Sequence, residues 1–314
     1  MRRESLLGKV QARLAVRARK PSADVIEGEH GSIHRGRSMD FDDLREYALG
    51  DDVKDIDWKA TARAGRPLVK RYIATRRHAV LLVVDTGRSM AALAAPGSDK
   101  RDVAVLAAGA IGQIAMSHGD SVGLVAGPIP DHVDLGGRSR DRSRRIAYLP
   151  PMRGELHLER LLRTVHDAIS VDGEPSDLPA LLAHIATHVQ RRSILMLVTD
   201  DVDFEQRTEQ LLRGLAARHE VLHCAVGDVI VTEPALAGAT LRAVESRFAM
   251  PAYLRAHPNV QADLEELARN RDIARRSTLA RSGIPSVRIP DEDNVIASVV
   301  TLLDRQRLFG SGIR

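Results

Sequence analysis

Two kinds of hydrophobic pattern alternate along this chain: short continuous apolar runs, and longer stretches in which apolar residues recur every three or four positions. The clearest run, Ala-Val-Leu-Leu-Val-Val at 79–84, ends abruptly at Asp85, Thr86, Gly87, Arg88 and Ser89. A continuous run predicts a strand covered on both faces, as in parallel sheets packed between helices. The pattern returns at 193–199 before Asp200 and Asp201, and shorter strands are predicted over 121–126, 146–149, 220–226 and 285–289. Pro150 and Pro151 predict a stop directly after 146–149. Helical spacing is predicted over 4–20, 100–117, 157–169, 177–190, 204–217, 260–281 and 293–307. Strands alternating with helices predict an α/β fold, a doubly wound and mostly parallel sheet with right-handed crossovers. Acids at the carboxyl ends of such strands stand where open α/β sheets place ligands. The bland alternative is that Asp85 and Ser89 only cap the following turn.

Between Ser22 and Arg77 the pattern is irregular. It predicts turns, one short helix near 42–48 and an extended piece over 68–73. The expected organisation is therefore an N-terminal part, 1–77, with a basic helix and an irregular segment, followed by an α/β domain over 78–314. No internal repeat is visible.

Composition changes this picture little. Lysine and arginine exceed acids by 46 − 42 = 4 in 314 residues, too mild a balance to mark a nucleic-acid binder. Cys224 stands alone, which excludes an intramolecular disulfide and a Cys-based zinc site and favours a reducing, cytoplasmic setting. No apolar stretch is long enough to span a bilayer and no leader pattern opens the chain. The helix over 4–20 is basic and amphipathic, so it either docks on its own protein or lies on an anionic membrane surface. Five arginines between Gly136 and Arg145 could meet phosphates, but no aromatic residue interleaves them to stack on bases, and the stretch reads better as a solvated hairpin tip.

The irregular segment carries the most specific signal. Arg35-Gly36, Asp40-Phe41, Arg45, Tyr47, Gly50-Asp51-Asp52, Ile56-Asp57-Trp58 and Thr61-Ala62-Arg63 resemble the signature of the domain-of-unknown-function 58 family. The resemblance implies a von Willebrand factor A-like domain after the signature and a MoxR-type AAA+ ATPase as partner, with this chain as a non-enzymatic adaptor. Physically, Trp58 among Asp51, Asp52, Asp55 and Asp57 reads either as an anchor pinning the segment or as part of a partner-binding surface together with Arg35, Gly36, Gly50 and Arg63.

Three loops offer oxygen atoms: Asp85 and Ser89, Ser176 with Asp177, and Asp200. Carboxylates and hydroxyls suit a hard cation such as Mg2+. By resemblance, Asp85, Ser89, Ser176 and Asp200 match a metal-ion-dependent adhesion site, whose ion takes an acidic side chain of the partner. Gly87 departs from that pattern where a serine is expected, which leaves the set one ligand short and allows a vestigial site instead.

Other chemistries compete with this one. A metal-dependent phosphoryl or ester hydrolase would use Asp85 and Asp200, with Asp201 and Asp203 as candidates for a base or second metal site. Asp-Thr-Gly is also found in aspartic proteases, but those are all-β. The Asp-x-Gly loop of sugar kinases continues into a hairpin rather than a helix. No phosphate-binding glycine loop is present. His30 and His34, and His184 and His188, have a zinc-compatible i, i+4 spacing without the metalloprotease glutamate. Cys224 reads as a core residue.

Overall fold

A computed structural model describes residues 5–18, 39–48, 51–74, 78–133, 140–141 and 145–311. Its first half holds α1 (Leu6–Ala18), β1 (Met39–Glu46), α2 (Trp58–Ala64), β2 (Leu68–Ala74), β3 (Ala79–Asp85), β4 (Leu93–Ala95), β5 (Ser98–Asp99), α3 (Lys100–Ser117), β6 (Ser121–Gly127), β7 (Arg140–Asp141) and β8 (Ile146–Met152). The second half holds α4 (Glu155–Ala168), α5 (Leu178–His188), β9 (Ile194–Asp200), α6 (Gln206–Ala216), β10 (Glu220–Val226), α7 (Ala252–Arg255), α8 (Pro258–Arg281), β11 (Ser286–Ile289) and α9 (Val295–Ser311). The chain forms two compact units, one of Ile26–Arg77 and one of Met1–Val25 with His78–Arg314.

The larger unit is built on a sheet of order β11-β10-β9-β3-β6-β8-β7, parallel from β11 to β6 and antiparallel at β8 and β7. Counting the six long strands in chain order, this is the doubly wound order 3-2-1-4-5-6, which reverses between β3 and β9. Every residue of β3 is buried, as its continuous apolar run requires. Side chains alternate across a strand, so Val80, Leu82 and Val84 pack with α1, α3, α4 and α9, and Leu81 and Val83 pack with α5 and α6 on the opposite face. The fold class expected from the alternation of strand and helix is the one found.

The boundary expected at residue 77 needs correction at its N-terminal side, because α1 belongs to the sheet unit. Leu7 and Val10 are buried there, and Val10 can approach α3 only because Gly109 has no side chain: a Cβ at Gly109 would stand 2.5 Å from Val10 Cγ2. The first turn of α1 contains no acid of its own. Glu159 of α4 supplies the carboxylate, accepting from Leu7 N at 2.7 Å, Leu6 N at 3.2 Å and Ser5 Oγ at 3.1 Å. Arg13 on the basic face pairs with Glu292 and Asp293, each at 2.8 Å. The helix is thus docked on its own protein.

Two local expectations also fail. Pro150 and Pro151 do not stop the strand; β8 runs through them to Met152. Pairing with β6 is irregular there, between Val122 and Leu124, and β7 meets β8 only at Ile146 and Ala147, so no ladder needs the missing N–H groups. The helix predicted near 42–48 is instead the second half of β1, which pairs antiparallel with β2 from Met39↔Ala74 to Glu46↔Leu68. A partner strand overrides the weak propensity of an isolated segment.

In this smaller unit the signature acids act locally. Asp57 caps α2 by accepting from Lys59 N and Ala60 N, both at 3.0 Å, and Gly65 ends that helix in the left-handed region at φ 67°. Asp52 accepts from Lys54 N at 3.0 Å, and Asp51 holds Ala48 N at 2.8 Å while pairing with Arg45. That pair and the Ala48 amide keep the Asp51 carboxyl below the usual range.

Candidate functional site

The reversal of strand order opens a crevice at the carboxyl ends of β3 and β9, and Asp85 and Asp200 are the last residues of those strands. The loop after β3 turns at once because Asp85 Oδ1 accepts from Gly87 N at 2.9 Å. The loop before α5 then lies directly on it: Ser176 Oγ donates to Asp85 Oδ2, and Arg88 N donates to Glu174 O at 2.9 Å. Gly87 is explained by this approach. A Cβ there would stand 2.6 Å from Ser176 N and Cα. The position where the adhesion-site pattern wants a serine therefore has no room for any side chain.

Asp85 is 1% exposed. Burial, only partly offset by the donors Ser176 and Gly87, raises its carboxyl to about 6, with the Asp200 charge pushing the same way and Lys100 opposing. Ser89 Oγ is buried without a hydrogen-bond partner. Arg88 turns to Glu245, 3.3 Å away, and Asp177 serves as the N-cap of α5.

Asp200 meets a group that the motif reading missed. Lys100, the first residue of α3, is 1% exposed, and its Nζ donates to Asp200 Oδ1 and lies against Asp228 Oδ1. Burial alone would lower the Lys100 pKa, but the charges of Asp200 and Asp228 outweigh it and hold it above its ordinary value. Asp228, just past β10, has half its side chain exposed. Its carboxyl is raised by burial and by Asp200, against the pull of Lys100. Asp200 Oδ1 also accepts from Asp201 N at 2.7 Å.

A signal for Lys100 was present. Lys100 and Arg101 open α3, and cations in a first turn oppose the helix dipole, so their placement asks for a local reason. The third strand-end acid, Asp228 after Val226 and Gly227, was visible too.

The carboxylates considered for hydrolysis are likewise committed. Asp201 pairs with Arg275, which is fully buried, and with Arg288 Nε at 2.7 Å; burial raises its carboxyl, and the two arginines outweigh burial and hold it below the usual range. Asp203 lies 3.6 Å from Arg271. His184 and His188 stack at 4.2 Å between ring centroids. No group of three or more His, Cys, Asp or Glu side chains among the described residues could hold a metal ion. His30, His34, Arg35, Gly36, Gly50 and most of the arginine-rich stretch lie outside the described residues. Trp58 has 66% of its surface exposed, and Arg63 stands in the last turn of α2.

The family described as "Protein of unknown function DUF58" matches residues 43–236. The chain belongs to the DUF58 family. Two uncharacterised proteins, one from Mycobacterium bovis and one from Mycobacterium tuberculosis, are each 27% identical to this DUF58 chain over 287 residues, covering 90% of it and 84% of their own length. Among solved structures, a conserved hypothetical protein BatB from Bacteroides thetaiotaomicron is 14% identical with a TM-score of 0.40, covering 74% of this chain and 99% of that one. A von Willebrand factor type A protein from Catenulispora acidiphila is 10% identical with a TM-score of 0.37, covering 77% and 43%. At these scores neither adds to what the strand order shows. No helix among the described residues is long and apolar enough to cross a membrane.

The four residues matched to the adhesion-site pattern do not fit a divalent cation in this DUF58 chain. Both oxygens of Asp85 accept from protein donors, Asp200 Oδ1 is bound to an ammonium and to the Asp201 amide, and Gly87 offers nothing, so a divalent ion would have to displace the protein's own cation. A divalent ion about 4 Å from that ammonium would be repelled by about 8 kcal/mol at an effective dielectric constant of about 20.

Proposed function

We propose that this chain is a non-enzymatic protein-binding module, an adaptor or scaffold whose partner is a MoxR-type AAA+ ATPase acting in remodelling or assembly of other proteins. One observation carries the reading: the strand-end carboxylates Asp85, Asp200 and Asp201 are each bonded to cations or donors of the protein itself. A hydrolase needs a group within reach of substrate with its proton to give or take, and these groups are spoken for. Membership of DUF58 supports the choice of partner through the family resemblance. An ATP-driven partner places the module in the cytoplasm.

Trp58 supports a contact surface on the smaller unit, since it is 66% exposed and Val53 of the same unit is 56% exposed. Exposed tryptophan is enriched where binding energy is concentrated. Calorimetric titration of the purified ATPase with the full chain, alongside Trp58→Ala, tests the proposal. Saturable binding that weakens at least about tenfold in the variant, equivalent to about 1.4 kcal/mol, is expected. Absence of binding to the ATPase, or turnover of a phosphate or carboxylate ester that Asp200→Asn abolishes, would overturn it.

A further inference from the structure

We infer that Lys100 is a tethered cation standing where the adhesion-site pattern would have a divalent ion, so that the switch-point site is complete without metal and selects against one. The inference rests on the switch-point site as described but not on the ATPase as partner. A metal in such a site does two things: it neutralises carboxylates gathered at the ends of neighbouring strands, and it holds the loops that carry them in register. Lys100 does both. Its Nζ bridges Asp200 at the end of β9 and Asp228 just beyond β10, while its backbone begins α3, so one side chain ties three elements together. Lys100 N donates to Ala92 O at 2.9 Å, which fixes the start of the helix against the loop that follows β3.

The remaining geometry agrees. With the charge supplied from within, the loop before α5 closes onto the first loop, and Ser176 Oγ meets Asp85 directly instead of through an ion. Gly87 is what permits that closure. The substitution of glycine for serine and the lysine at the start of α3 are then two parts of one change: a ligand is lost where the loops meet, and the charge it would have helped to hold is replaced covalently. A partner acid could no longer complete a coordination sphere. Contacts at this face are consequently indifferent to chelators.

The test uses the full chain with Mn2+ as probe. In the parent protein, titration after EDTA treatment and dialysis is expected to show no saturable binding, and the melting temperature is expected to be the same in EDTA and in Mn2+. Saturable binding of Mn2+ by the parent that Asp85→Ala or Asp200→Asn removes would overturn the inference. In Lys100→Ser the positive charge is gone while Asp85, Ser89, Ser176, Asp200 and Asp228 remain. This variant is expected to melt lower than the parent, to be restored by Mn2+, and to bind Mn2+ saturably where the parent does not, because affinity of such sites follows ligand charge. If Lys100→Ser does not fold alone, the same titration is made on Lys100→Ser with Asp228→Asn, which removes one unpaired carboxylate. A folded variant with no gain in Mn2+ affinity would show that the ammonium is not in the ion's place.

Discussion

Replacing Lys100 with methionine keeps most of the side-chain volume and removes only the charge. Asp200, with 8% of its side chain exposed, then has no counter-charge, whereas Asp228, half exposed, can turn to solvent. Losing one partner of a buried pair costs about 3–5 kcal/mol, and an exposed pair about 0–1 kcal/mol. Most of the effect therefore comes from Asp200, and about 4 kcal/mol is expected. For a unit of this size that lowers the melting temperature by about 10 °C. Urea unfolding followed by circular dichroism reads the change, with an unaltered m-value showing that stability and not compactness has shifted. Adding Asp200→Asn to Lys100→Met removes the stranded charge yet leaves an oxygen for the Asp201 amide, and is expected to return at least about 2 kcal/mol of the loss. The Lys100→Met effect is also expected to persist at about 1 M salt, since buried pairs are poorly screened. A loss below about 1 kcal/mol, or one that vanishes in salt, would refute the reasoning by showing that the pair behaves as a surface pair.

Three further outcomes follow from other parts of the fold. Gly87→Ala places a methyl group against the Ser176 backbone at 2.6 Å and is expected to destabilise the fold by about 1–3 kcal/mol, measured by thermal melting. Glu159→Ala leaves the first amides of α1 without their acceptor and is expected to cost about 1–2 kcal/mol, with faster hydrogen exchange confined to α1; unchanged protection there would contradict the capping role. His223 is buried between Thr199 Oγ1 at 3.0 Å and Ser286 Oγ at 2.8 Å, and burial pushes its pKa down to about 3. Because the unfolded chain takes up the proton near pH 6.5 and the folded one does not until about 3, this group's contribution is full above pH 6.5 and is lost as pH falls through that window, at up to about 1.4 kcal/mol per unit. His223→Asn is expected to flatten the pH dependence of stability between about 6 and 4.

The sheet was legible because burial on both faces leaves a simple mark. At 79–84 and 194–198 no polar residue interrupts the run, and the acid that ends each strand stands in the crevice that the strand order creates. Elements held by their neighbours were harder to see. The second half of β1 is strand only because β2 lies beside it, and β8 survives two prolines only because nothing requires their N–H groups. Motif matching brought together the right loops but gave no sign of Lys100. Asp85 and Ser176 do meet, and Asp200 does face a positive charge, yet that charge comes from a helix start 100 residues away in sequence. Spacing within a motif carries no information about such a partner. The signature acids were legible as a pattern while their work was not: Asp51, Asp52 and Asp57 hold turns and a helix start in their own unit.

The most direct test of the central claim is an anomalous difference map from crystals of the full chain grown in Mn2+. The account predicts no peak among Asp85, Ser89, Ser176 and Asp200, with the Lys100 ammonium in hydrogen-bonding contact with Asp200 and Asp228. A peak ligated by Asp85 and Asp200, with Lys100 turned away, would contradict it.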